Sequence, residues 1–318
     1  MSPQVAAIIT TKNNKNIIEE CLASIFNQTH RNIHCILADD GSTDGTVEFV
    51  KERFPQVEIV INPKSEGPAK NRNLGLARTT APYVLFMDSD ASIAPDWLEK
   101  ALEFLENRLD IGALAGKIFN ADKTLQATQS FFHITGVCGF DSKAEKNLAE
   151  YLWWPTSTLL ARTEVVKKVG GFNETFCYPL EDSDLCLKIW QAGSKLVYNN
   201  ELHSVHKESA TVGVEIRKKK VMFMKKRNKM VTALANFEIW TLIKYSPMIL
   251  GFCLVELLVL PYKKEVLLGN LAGLFAVPHI IDRRKKIKEY KKVPDSVLLG
   301  DKISTSISDF LKYGLPKR

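Results

Sequence analysis

Three short stretches in the first third of the chain, residues 5–10, 33–38 and 83–87, are apolar but for His34 and the closing Thr10. A strand buried on both faces reads as such a run, whereas a half-exposed strand alternates. Between the first two runs, Ile17, Ile18, Cys21, Leu22, Ile25 and Phe26 recur at the helical period; after the second, Val47, Val50 and Phe54 do the same. Strand and helix patterns alternate in this way through residue 119, which predicts a mainly parallel sheet with crossover helices. The alternation fails over residues 120–150, where a loop or insertion is expected. Residues 181–193 read as a helix that opens with acids and closes at Gly193.

Acidic clusters stand at the ends of these patterns: Asp39-Asp40-Gly41-Ser42, Asp88-Ser89-Asp90 and Glu181-Asp182. Carboxylates gathered at the carboxyl ends of neighbouring strands repel one another unless a cation or proton-transfer chemistry compensates. Each cluster alone has a plainer reading, as a turn with an N-cap, a polar loop or acids suited to a helix dipole. Their order along one chain favours chemistry. Asp40 is able to accept hydrogen bonds from a base N–H or ribose hydroxyls where Gly41 turns the backbone away. Asp88 and Asp90 offer the oxygen ligands that Mg²⁺ or Mn²⁺ takes while keeping positions open for phosphates. Asp182 is placed to take a hydroxyl proton, with Glu181 orienting it, and the helix dipole is expected to keep Asp182 ionised.

Taken with Thr10-Thr11-Lys12-Asn13, Gly67-Pro68-Ala69-Lys70-Asn71-Arg72-Asn73-Leu74-Gly75, Val169-Gly170-Gly171-Phe172-Asn173-Glu174 and His206, this ordered set resembles a family 2 glycosyltransferase. The resemblance implies an α/β fold of the GT-A type, a Rossmann-like mixed sheet flanked by helices as in nucleotide-diphospho-sugar transferases. It implies inverting transfer from a nucleotide-diphosphate sugar to an acceptor hydroxyl. By position it implies that Thr11, Asp40 and Arg72 hold the nucleotide, that Asp88 touches ribose or metal, that Asp90 binds metal and that Asp182 is the base. His206 completes the metal or diphosphate shell; His203, three residues earlier in an extended run, points to the opposite face. Family members often carry Pro-Thr-Tyr-Asn where this chain has Thr10-Thr11-Lys12-Asn13, so a cation replaces an aromatic beside the base.

The last third changes character. Arg217-Lys218-Lys219-Lys220 and Lys225-Lys226-Arg227-Asn228-Lys229 precede two apolar runs, 247–262 and 266–281, and Arg283-Arg284-Lys285-Lys286 follows them. The net charge of +7 is concentrated here. Each run is shorter than the roughly 20 residues of a spanning helix, and Glu256, Pro261, Lys263, Lys264 and Glu265 interrupt them. In-plane or re-entrant helices held by anionic headgroups are expected, with the cluster at 283–286 a headgroup patch far from the catalytic domain. Nucleic-acid binding would need aromatic platforms or a recognisable module, which the segment lacks. A plainer alternative has the runs pack on the catalytic domain or on a sister subunit.

With 318 residues and 45% hydrophobic content, the chain is able to bury one large core plus an appendage. The expected division is a catalytic domain at 1–214, a membrane-associating helical region at 215–294 and a tail at 295–318. Six cysteines without Cys-x-x-Cys spacing read as buried thiols in a reducing compartment, and the first strand begins too early to leave room for a leader. The expectation is therefore an enzyme on the cytoplasmic face of the cell membrane, acting on a lipid-linked or cell-surface glycan acceptor. A nucleotidyltransferase would announce a Gly-rich phosphate loop near its start, and none is present. A catalytically silent membrane scaffold would have no need of Asp90 and Asp182.

Overall fold

The computed structural model describes residues 2–141, 146–207 and 215–313. Its first half is built on β1 (Val5–Thr11), α1 (Ile18–Phe26), β2 (Ile33–Asp39), α2 (Thr46–Arg53), β3 (Glu58–Ile61), α3 (Pro68–Ala77) and β4 (Tyr83–Asp88). Strands β3, β2, β1 and β4 lie side by side and parallel, in that order. Because β4 crosses to the far side of β1, the strand order reverses there, and the crevice outside the carboxyl ends of β1 and β4 is where a ligand is accommodated in such sheets. The apolar runs are explained by two-sided burial: Ala6 and Ile8 enter one core, whereas Val5, Ala7 and Ile9 enter the core on the other face. Helix α3 presses on β1 through Gly75, where a Cβ would lie 2.5 Å from the Ile8 side chain. That close approach sets the depth at which Arg72, one turn earlier, enters the crevice.

The chain continues through β5 (Ala91–Ile93), α4 (Trp97–Glu106), β6 (Ile111–Phe119), β7 (Leu125–Ala127), β8 (Gln129–Phe132), β9 (Cys138–Asp141), β10 (Leu148–Glu150), β11 (Thr158–Arg162), α5 (Thr163–Lys168), α6 (Glu181–Gln191) and β12 (Lys195–His206). The parallel alternation stops at β4. Antiparallel β11 inserts between β4 and β6, and β12 runs parallel to β6 beyond it, so the sheet is mixed. Residues 120–150, expected as a loop, carry four short strands, of which β8 and β9 form a separate hairpin. Strands of three or four residues are too short to declare a period.

Four longer helices follow: α7 (Glu215–Asn236), α8 (Ile239–Val259), α9 (Lys263–Leu274) and α10 (Val277–Tyr290), then α11 (Asp295–Leu298) and α12 (Ile307–Tyr313). Residues 208–214, at the end of the expected catalytic domain, and 314–318, at the end of the tail, lie outside the described residues. The C-terminal region is stitched to the sheet domain. Asn228 Nδ2 donates to Pro179 O at 2.8 Å, Asn236 Nδ2 to Asp184 at 3.2 Å, and Ser304 N to Phe132 O at 2.9 Å. On α9, Gly269 and Gly273 face α7: a Cβ at Gly269 would lie 2.5 Å from Phe223 O, and one at Gly273 2.7 Å from Arg227 O. Small residues four apart let two helix backbones approach this closely.

Two expectations for this region are corrected. The basic clusters are not uniformly surface charge. Lys226 pairs with the fully buried Glu256 of α8 at 2.9 Å, Lys229 takes the other carboxylate oxygen, Arg283 pairs with the buried Asp184 of α6, and Arg284 donates to Leu234 O and Phe237 O. Glu256, read as an interruption, is instead the acid that fixes α8 to α7. The apolar run expected to begin at 247 belongs to a longer helix of 21 residues, because Pro247 sits inside α8 and Thr241 and Lys244 disguise its first turns. By length and composition α8 is able to cross a membrane, while α9 and α10 bend by 55° at their junction. Its outer surface is largely apolar: Thr241, Ile249, Phe252 and Glu256 face inward, whereas Trp240, Leu250, Leu254 and Leu258 are exposed.

Replacing Gly273 by Val forces α9 off α7 and is expected to cost about 1–3 kcal/mol, the usual penalty of overpacking. Thermal unfolding checks this, with Gly251→Ala as the control, since a Cβ at Gly251 meets nothing within 4 Å.

Candidate active site

Strand β4 delivers Asp88 to the crevice, and the backbone N–H of Ser89 donates to Thr10 O at 3.2 Å before the chain turns into β5. Strand β12 returns antiparallel to β5 with His206 opposite Ala91, one residue from Asp90. His206 Nε2 therefore lies 3.3 Å from Asp90 Oδ1 and 3.9 Å from Asp88 Oδ2. Its Nδ1 contacts Gln126 Oε1 of β7 at 3.1 Å, an outer contact that fixes the ring as metal-binding imidazoles are usually fixed. One ligand atom from each of Asp88, Asp90 and His206 lies within 4.8 Å of the others, and all three residues are half-buried. Two carboxylates and an imidazole facing one another fit a divalent cation; the mixed oxygen and nitrogen set suits Mn²⁺ at least as well as Mg²⁺. His203 is exposed, its ring edge-on to Phe119 with centroids 5.6 Å apart.

Arg72 joins this group to the third acidic cluster. Its guanidinium, 3% exposed, donates to Asp88 Oδ1 at 2.7 Å and to Glu181 Oε1 at 3.0 Å, and lies 5.4 Å from the centre of the Phe172 ring. Burial opposes its charge, but the carboxylates of Asp88, Glu181 and Asp182 more than compensate and raise its pKa. Glu181 is thereby committed to Arg72 rather than standing free beside an acceptor. Asp182 opens α6 after Leu180, whose φ of +81° turns the chain sharply into the helix. Burial pushes the carboxyls of both Glu181 and Asp182 above the usual range, against the pull of Arg72. Desolvation thus works against the helix dipole, although a carboxyl raised to about 6 is still mostly ionised at neutral pH, as the sequence suggests.

The first cluster divides between two roles. Asp39 accepts from the N–H groups of Gly41 and Ser42 at 3.0 and 2.9 Å and so shapes the turn. Asp40 faces the loop before α3, accepting from Gly67 N at 3.1 Å, Ser65 Oγ at 3.0 Å and Asn62 Nδ2 at 3.4 Å. Thr11, at the end of β1, is 4% exposed, and its hydroxyl has no hydrogen-bond partner. Gln126, Asn62 and Ser65 escaped the sequence reading. Asn62 and Ser65 sit in a turn without periodicity, and Gln126 in the insertion where no element was legible. That insertion reaches the site: burial, with Asp182 nearby, pushes the Cys138 thiol of β9 up to about 12.

The family model for glycosyl transferase family 2 matches residues 6–163. Glycosyltransferase GlyA of Streptococcus pneumoniae serotype 4 is 33% identical over 215 residues, covering 62% of this chain and 30% of that protein. The chain spans 44% and 40% of the length of other curated relatives it matches, an uncharacterized glycosyltransferase of Haemophilus influenzae and the pre-mycofactocin glycosyltransferase of Mycobacterium tuberculosis. The crystal structure of GalNAc-T7 with UDP, GalNAc and Mn²⁺ superposes with a TM-score of 0.66 at 13% identity, covering 100% of this chain and 59% of that one. At these identities the likeness shows the fold, which is of the GT-A type.

The metal group is testable by itself. Titration with Mn²⁺ followed by electron paramagnetic resonance is expected to show saturable binding that Asp90→Ala abolishes and His206→Ala weakens by about tenfold or more. Undiminished binding in Asp90→Ala would place the ion elsewhere.

Proposed function

We propose that this chain, which belongs to glycosyl transferase family 2, moves a sugar from a nucleotide-diphosphate donor to an acceptor hydroxyl with inversion at the anomeric carbon. The observation that carries the reading is one buried cation, Arg72, bonded on one side to Asp88 of the Asp88, Asp90 and His206 group and on the other to Glu181, with the carboxylate of Asp182 close enough to act on its charge. Thr11 and Asp40, at the ends of β1 and β2, are the proposed nucleotide contacts. The GalNAc-T7 structure holds UDP and Mn²⁺, and a mannosyltransferase from Pyrobaculum calidifontis holds GDP-Man and Mn²⁺. These support a donor of the same class here.

Asp182 takes the proton of the acceptor hydroxyl as the oxygen bonds to the anomeric carbon. The bond from that carbon to the diphosphate breaks, and its electron pair leaves with the nucleoside diphosphate. Asp88, Asp90 and His206 would hold a Mg²⁺ or Mn²⁺ ion, which would supply positive charge for the departing diphosphate. Arg72 keeps Asp88 in place, and Glu181 keeps Arg72 in place. A raised carboxyl pKa suits a base working near neutrality, because it is then a stronger proton acceptor that is still ionised.

The proposed division is a catalytic domain at 1–214, a membrane-associating region at 215–294 and a tail at 295–318. The exposed apolar residues of α8, with Leu267, Leu271 and Phe275 exposed around α9, suit helices lying in a bilayer interface on its cytoplasmic face. An acceptor at that surface would be a lipid-linked or cell-surface glycan.

Asp182→Asn is expected to keep donor binding and lower turnover by at least about 100-fold, read as nucleoside diphosphate release. Near-normal turnover would assign the base elsewhere. The base must be ionised to act, so activity falls as pH drops through its raised pKa. The acid limb of kcat/KM should accordingly lie above the ordinary carboxylate value of about 4. Co-sedimentation with anionic vesicles tests the membrane surface. Binding should weaken with salt and with charge reversal of the exposed Lys263, Lys264, Lys285 and Lys288. Folded, detergent-free protein that stays in the supernatant at low salt would refute it.

A further inference from the structure

On the side of α6 away from Asp182, a cleft of about 560 Å³ opens between α10 and residues 168–175 of the sheet domain. Its inner wall is charged. Asp184 is fully buried and accepts from Arg283 of α10 and from Asn236 at 3.2 Å, with Lys188 Nζ at 3.6 Å. Lys188 also donates to Gly171 O. Two buried cations therefore share one buried carboxylate, and an excess of positive charge in a dry interior is costly unless an anion meets it.

Two further features belong to the same cluster. The Nε–H of Arg283 and the hydroxyl of Tyr290, both more than nine-tenths buried and both on the cleft wall, have no hydrogen-bond partner. The acids around the opening are already engaged: Glu174 by Lys70 at 2.7 Å and Asp282 by Lys286 at 2.8 Å, leaving the exposed Glu289. Lys168, exposed at the end of α5, adds a cation at the mouth. Burial and the neighbouring Arg283 lower the Lys188 pKa to about 8 despite Asp184, which still leaves it mostly charged at neutral pH.

We propose that this cleft binds a phosphoryl anion, with Lys188 and Arg283 as its buried counter-charges and Lys168 at its entrance. The chemistry is shared by two sources, a free phosphate group and the phosphate of an anionic lipid headgroup presented alongside α10. Asp184 ties both buried cations to the helix that carries Asp182, so occupancy would be felt at the catalytic centre. The proposal does not depend on the identity of the donor.

Calorimetric titration with inorganic phosphate at fixed ionic strength tests the first source. Co-sedimentation with phosphatidylcholine vesicles, with and without phosphatidate, tests the second. Lys168→Glu and Lys168→Met, both at an exposed position outside the catalytic machinery, are the variants. Saturable phosphate binding that Lys168→Glu weakens by about tenfold or more, with Lys168→Met intermediate, supports the site with a free anion as ligand. Phosphatidate-dependent vesicle binding that Lys168→Glu weakens, without measurable phosphate binding, supports the headgroup. Binding of either probe that both variants leave unchanged, or binding of neither, overturns the proposal.

Discussion

One buried guanidinium holds the site together. The second and third acidic clusters, brought together at one sheet edge, would repel each other, and Arg72 answers that repulsion by giving one nitrogen to Asp88 and another to Glu181. A lysine, as a point charge, could not span the two carboxylates with fixed geometry. The position of Arg72 depends in turn on Gly75, which lets α3 sink onto β1. A packing detail of the core thereby determines the electrostatics of the crevice. Removing one partner of such a buried pair typically costs about 3–5 kcal/mol, so the arrangement is structural as well as functional.

The parts of the fold that could be read in the sequence are those where burial imposes a period. Strands β1, β2 and β4 were visible because two-sided burial made each a largely apolar run. Antiparallel β11 was invisible as a neighbour of β4, since no local pattern says which strand pairs with which. The acidic residues were visible as chemistry, but not their partners. Asp40 and Asp39 look alike in sequence, yet one is turned to the loop before α3 and the other to its own turn. Glu181 and Asp182 are adjacent, and only the hydrogen bond from Arg72 of α3 singles out the first of them. Alternation along a strand sets His203 and His206 on opposite faces but does not say which of them meets the acids. The pairing of β12 with β5 supplied what that choice needed, by setting His206 beside Asp90.

The C-terminal helices could be read as basic and apolar, but not as partners of the sheet domain. Charge in sequence does not reveal which lysines find a buried acid. Glu256 draws Lys226 and Lys229 inward, and Asp184 draws Arg283, so the charge available at the surface is smaller than the sequence suggests. The same contacts make α7, α8 and α10 part of the body that supports α6, instead of a tethered anchor.

If Asp40 meets the base, as proposed above, its environment has a bearing on selectivity. Its carboxylate is already provided with donors from Gly67, Ser65 and Asn62. A ligand that approaches it must exchange one set of hydrogen bonds for another, so the net gain from that contact is small. A ligand that pushes those donors aside without replacing them leaves a buried charge undersolvated. Discrimination at this position would therefore work by rejecting the wrong heterocycle more than by holding the right one tightly.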